Sequence, residues 1–132
     1  MQRIVFASDG QLTRSRGLRA ARLCAIKADI ASHLGEHELT VTAVAVHQRV
    51  SPRYVQMLFK AEGTTFSRFV LCQRLACAHR MLTDPRYAAW TITAIALEAG
   101  FGDLSTFNHA FRRAYGASPS DLRAAAWRED GG

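Results

Sequence analysis

Lysine, proline, cysteine and long apolar runs are all scarce in this 132-residue chain, and each scarcity excludes something. Of the 17 Lys+Arg residues only Lys27 and Lys60 are lysines, so the formal charge of +6 is carried almost wholly by arginine. Arginine presents a planar fork of donors that fits phosphate and guanine edges, which favours a nucleic-acid partner over generic solubility. The three cysteines, Cys24, Cys72 and Cys77, are odd in number and lack metal-ligand spacing. They predict no disulfide framework, and read as small buried or half-buried thiols in a reducing cytosol. No stretch of about 18 apolar residues offers a membrane span. The opening Met1–Asp9 is too short in apolar residues for a secretory signal. Strand-like alternation is missing after the first seven residues, and the 48% apolar content excludes disorder.

There is no basic tail either. Up to residue 50 seven cations face four acids, and beyond it ten face seven, so any cationic surface has to be assembled by folding. The length suits one ordinary domain with a modest core.

The three prolines, Pro52, Pro85 and Pro119, mark boundaries. Ser51-Pro52 and Ser118-Pro119 read as an N-cap followed by a first-turn proline, with Asp121 opposing the second helix dipole. Asp84-Pro85 closes what precedes it. Between these marks the apolar spacing is helical. Leu23, Ile26, Ile30 and Leu34 predict a first helix at about 18–34, ending at Gly35. Leu71, Leu75, Ala78 and Leu82 predict a long joining helix. The expectation is an all-α chain of about seven helices. Residues 1–17 form an irregular lead-in, 18–64 a first subdomain, 65–83 a linker helix and 84–130 a second subdomain.

An internal repeat is the most informative feature. Thr40-Val41-Thr42-Ala43-Val44-Ala45 returns as Thr91-Ile92-Thr93-Ala94-Ile95-Ala96, an offset of 51. Val55 to Lys60 matches Phe107 to Arg112 at an offset of 52, so the second copy has one added residue between its two helices. Each copy reads as a threonine cap, a short helix, a tight turn, a polar cap and a second helix. That is the helix-turn-helix unit. Ala45 and Ala96 are small where the second helix crosses. Val50, Val55, Leu58 and Phe59 face inward in the first copy, and Phe101, Phe107 and Phe111 in the second. Gly100 supplies left-handed turn geometry, with Asp103 as the following cap.

Removing these anchors leaves the outward positions. They are Arg53, Gln56, Met57 and Lys60 in the first copy, and Leu104, Ser105, Asn108, His109 and Arg112 in the second. An exposed first turn with Arg and Gln suits a major groove, where Arg pairs with guanine O6/N7 and Gln with adenine. Lys60 and Arg112 would sit nearer phosphate. A joining helix of about 18 residues is roughly 27 Å long, compatible with the ~34 Å between successive groove faces. Because the copies differ, the expected site on double-stranded DNA is asymmetric.

The chain resembles the DNA-binding domain of AraC/XylS-type bacterial transcription regulators. The carrying segments are Ser51–Lys60, Arg74–Leu82, Ile95–Phe107 and Phe111–Pro119, and the match covers about 18–128. The resemblance implies a homeodomain-like pair of helix-turn-helix subdomains joined by the long helix. It also implies promoter binding in the cytoplasm at the nucleoid, and control of transcription, usually activation through RNA polymerase. No enzymatic role, cofactor or metal site is implied. Arg49 stands where the family usually has glycine or a small polar residue, which predicts a distorted or altered turn at a cost of roughly 1 kcal/mol. Met57 stands where arginine is frequent, and Leu104 and His109 where Gln and Arg are common. The second recognition helix would then read thymine methyls or rely on backbone contacts. Many relatives carry an amino-terminal sensor domain. Arg16–Arg22 reads as the start of such a DNA-binding domain after an upstream linker, pointing to part of a longer protein rather than a stand-alone regulator.

Two readings compete. His33-Leu34-Gly35-Glu36-His37 matches H-x-x-E-H, the inverted zinc-peptidase pattern, but Gly35 sits where the periodicity stops, so the expectation is a solvated helix end. A helical protein–protein module, an anti-activator without DNA affinity, is the other, motivated by the weakened second recognition helix. His47 and His79 read as surface residues, and Trp90 and Trp127 as anchors of terminal segments.

Overall fold

The structure, a computed structural model, describes residues 9–131, with side chains from 13 to 128. Seven α-helices and no strand occur among the described residues. They are α1 (Asp9–Ser32), α2 (Val41–Gln48), α3 (Pro52–Ala61), α4 (Phe66–Thr83), α5 (Ile92–Glu98), α6 (Leu104–Tyr115) and α7 (Pro119–Gly131). A 3-10 turn covers Pro85–Tyr87. No described helix is long and apolar enough to cross a membrane.

The caps account for the helix starts. The side chains of Thr40, Ser51, Thr91 and Asp103 each accept from the backbone N–H three residues on, at 3.1, 3.0, 3.0 and 2.7 Å. Ser118 does the same for Asp121 at 3.1 Å. Each bond satisfies a donor that the helix leaves orphaned. The first helix corrects the sequence reading. It was expected from about 18 after an irregular lead-in, yet 9–17 are already helical, and residues 1–8 lie outside the described residues. Residues 13–22 are exposed, so no apolar stripe exists there for periodicity to detect. Arg, Ala and Leu sustain the helix by propensity, and the exposed Gly17 is tolerated at about 1 kcal/mol.

The chain divides into two compact units. The first holds α1, α2, α3 and Phe66. Leu23, Ile26 and Ile30 of α1 are buried, as are Val44 and Ala45 of α2 and Val55, Leu58 and Phe59 of α3. Phe66 meets Phe59 edge-on at 6.1 Å. α1 packs on both other helices.

The second unit takes residues 33–39 together with everything from Ser67. The joining helix is therefore more than a connector. Its Leu75, Ala78, Met81 and Leu82 share one core with Ile95, Ala96, Ala99, Phe101, Phe107 and Phe111. Burial of each large side chain here contributes about 1.5–3 kcal/mol. His79, expected at the surface, is half-buried. Its ring stacks at 6.2 Å from that of Phe111 and lies 4.8 Å from that of Tyr115. Two cysteines also depart from expectation, Cys24 and Cys72 being exposed and only Cys77 half-buried.

Arg123 of α7 anchors the end of the chain. It donates to the carbonyls of Tyr87 (2.7 Å), Ala88 (3.0 Å) and Trp90 (2.7 Å) while its guanidinium lies 4.6 Å from the Trp127 ring centroid. Anchoring was expected of the two tryptophans; the arginine between them makes the bonds.

Candidate nucleic-acid interface

Each unit contains one helix-turn-helix, and the two turns close alike. In the first, Arg49 N–H donates to Val46 O at 3.2 Å and Val50 N–H to Ala45 O at 3.0 Å. In the second, Gly100 N–H donates to Leu97 O at 3.0 Å and Phe101 N–H to Ala96 O at 2.9 Å. This paired closure requires a left-handed residue at the position immediately before the second donor, Val50 or Phe101. Gly100 takes it at φ 107°, and Arg49 takes it as well, at φ 58° and ψ 41°. The expected distortion at Arg49 is thus absent, and the arginine bears the left-handed strain itself. The offset of 51 holds through Val50 and Phe101, then becomes 52 at the caps Ser51 and Asp103. The added residue is Gly102.

Gly100 has a second reason to be glycine. A Cβ there would collide with Leu34 O and lie 2.5 Å from Arg74 Nε. Residues 33–39 run across this turn as a strap, and a Cβ on Gly35 would stand 3.1 Å from Glu98 O. Arg74 of α4 holds the strap, donating from Nε to Leu34 O at 2.9 Å and from its terminal nitrogen to Glu36 O at 3.0 Å. Burial pushes the Arg74 pKa down. The strap also disposes of the zinc-peptidase pattern. α1 ends at Ser32, so His33 and His37 do not share a helical face, and His33 lies 3.8 Å from Glu36.

In the first unit, α3 turns Val55, Leu58 and Phe59 inward and leaves Arg53, Gln56, Met57 and Lys60 exposed, as expected. These four, with Ser51 and Tyr54, line one shallow groove of about 510 Å³. Tyr54 was not among the expected residues. It precedes the buried Leu58 by one turn, and its ring is half-buried at the groove edge. Elsewhere in this unit α1 and α2 are tied by Asp29, which accepts from Gln48 at 3.2 Å and faces His47 Nδ1 at 3.4 Å. His47 is exposed, as expected.

In the second unit, α6 buries Phe107 and Phe111 and exposes Leu104, Ser105, Asn108, His109 and Arg112. Leu104 is 37% exposed, enough to offer an apolar contact from the first turn. Asp103 accepts from Thr106 N at 2.7 Å and from its hydroxyl at 3.0 Å, and these bonds hold the Asp103 carboxyl below its usual pKa. Every expected outward residue is on the exposed side of its helix.

The comparisons agree with this geometry. The helix-turn-helix domain family matches residues 44–125. The transcriptional activator RhrA of Rhizobium meliloti (strain 1021) is 43% identical over 105 residues, covering 80% of this chain and 33% of that protein. The chain spans about a third of the length of the curated relatives it matches. A transcriptional regulator from Chromobacterium violaceum, described as an AraC-type DNA-binding domain-containing protein, has a similar structure. Its TM-score is 0.74 at 26% identity, covering 81% of this chain and 93% of that one. The DNA-binding domain of AdpA, solved in complex with a target DNA, gives 0.69 at 27% identity, covering 79% and 91%. The family match runs through both exposed helices and the turns that present them, and the chain belongs to the helix-turn-helix domain family of AraC/XylS-type transcription regulators.

Proposed function

We propose that this chain is a sequence-specific DNA-binding regulator of transcription, an activator, that inserts α3 and α6 into successive major-groove faces of one promoter site. The observation that carries this reading is the pair of exposed recognition faces, each presented by the same hydrogen-bonded turn. In the first unit Arg53 and Gln56 suit guanine and adenine edges, with Lys60 further along for phosphate. In the second, Asn108 suits an adenine edge and Leu104 a thymine methyl, with Ser105 and His109 beside them and Arg112 for phosphate. Because the two faces carry different chemistry, the site is asymmetric. The relatives' names support activation, and with it RNA polymerase as the partner. The share of their length that the chain spans supports an upstream sensor domain in the full regulator. Location at the nucleoid of the cytoplasm follows from the same reading. No enzymatic chemistry enters it.

Selection of genomic fragments by the purified chain, followed by affinity measurement across ionic strength, tests the proposal. The expected result is one asymmetric consensus and an affinity that falls steeply with salt. Arg53→Ala should cost about 1–3 kcal/mol on the consensus and relax preference at one base pair. Salt-independent binding to a protein partner, with no duplex selected, would support the anti-activator module instead.

A further inference from the structure

Beside the groove of the first unit stands a cation that apolar spacing does not single out. The Arg22 guanidinium carbon lies 5.8 Å from the centroid of the Tyr54 ring. Tyr54 lines the groove together with Arg53 and Gln56. Arg22 is exposed, and among the described residues no carboxylate or carbonyl accepts from it. Five residues on, Lys27 pairs with Glu62 at 2.8 Å, immediately past the end of α3. α1 therefore runs alongside α3, with Arg22 level with its first turn and Lys27 with its last.

We infer that Arg22 is a DNA-backbone contact, clamping a phosphate on the groove wall beside the bases read by Arg53 and Gln56. This rests on the DNA-binding reading above. A major groove about 12 Å wide is filled by one helix of about 10–12 Å, so a neighbouring helix meets the phosphate wall rather than the bases. α1 is that neighbour. An aromatic face holds a guanidinium in a fixed plane and leaves its N–H edge free for two phosphate oxygens. Tyr54 is the positioning residue, and Arg22 makes the contact. The groove lining holds two further cations, Arg53 and Lys60, and no acid, which favours a polyanion over an acidic protein segment.

The test is fluorescence anisotropy of the full chain on the selected duplex and on a scrambled one, between 50 and 200 mM salt, with folding of each variant checked by circular dichroism. Arg22→Ala should bind both duplexes roughly three- to tenfold more weakly, with a salt slope shallower by about one. Arg22→Lys should keep most of the slope as a point charge. The Arg22→Ala effect should shrink in a Tyr54→Leu background. Arg22→Gln, which keeps most of the stem, replaces Arg22→Ala if the alanine variant is unfolded. Wild-type affinity and slope in the Arg22 variant overturn this inference alone, as does a loss confined to one base pair. An undiminished Arg22 effect in the Tyr54→Leu background overturns the positioning role of the ring. Absence of any salt-dependent duplex binding by the wild-type chain overturns the DNA-binding reading and the phosphate contact with it.

Discussion

The two helix-turn-helix units close their turns with the same pair of hydrogen bonds and support them by opposite means. In the first, the left-handed position is Arg49, an exposed residue. Its short helix is tied to α1 by a polar link, Gln48 to Asp29. In the second, the left-handed position is Gly100, fully enclosed, and the residue before it, Ala99, lies in the core where Gln48 stands in the first copy. The strap at 33–39 and Arg74 then press on the turn from outside. Glycine at a turn thus answers two separate demands, backbone conformation and space. Only the second copy imposes both, which is why the first tolerates a side chain there.

Three substitutions probe that contrast. The largest effect is expected from Gly100→Ala, which adds a collision with Leu34 O and Arg74 to the left-handed strain, for a loss of roughly 3 kcal/mol or more in denaturant unfolding. A loss below about 1 kcal/mol would show that the strap yields and that the two turns are equivalent. Arg49→Gly runs the other way. Relief of left-handed strain exceeds the added entropy of the unfolded chain, so a gain of about 0.5–1 kcal/mol is expected, and an unchanged or lower stability would contradict it.

The smallest effect separates the caps, serine in one copy and aspartate in the other. Hydrogen bonds from Thr106 lower the Asp103 pKa on folding. Its contribution is therefore full above the ordinary carboxylate pKa and disappears as pH falls through the lower folded value. Asp103→Asn keeps a capping oxygen without the titration. The difference between wild-type and Asp103→Asn melting curves should be constant at neutral pH and shrink in acid; a flat difference would remove the charge from the account.

Much of this was legible in sequence because it depends on local patterning. Caps at Thr40, Ser51, Thr91 and Asp103, and apolar residues four apart at 55 and 59 or 107 and 111, state which side of each helix faces the core. The outward residues follow by subtraction. The first nine described residues of α1 were missed because an exposed helix leaves no apolar stripe. Tyr54 belongs to neither the inward nor the outward set by spacing, because its half-buried ring lies at the groove edge. His79 shows the converse, a polar side chain admitted among rings.

The sequence alone therefore determined the helices beyond the exposed start of α1, their caps, the duplicated motif and, Tyr54 apart, the outward side chains of α3 and α6, since all of these follow from interactions within a few turns of chain. Tertiary structure alone decided the strap across the second turn, the grip of Arg74 on its carbonyls and the placing of the Arg22 guanidinium over the Tyr54 ring. Each joins residues more than thirty positions apart, where no local periodicity connects them and only the packed fold brings donor to acceptor.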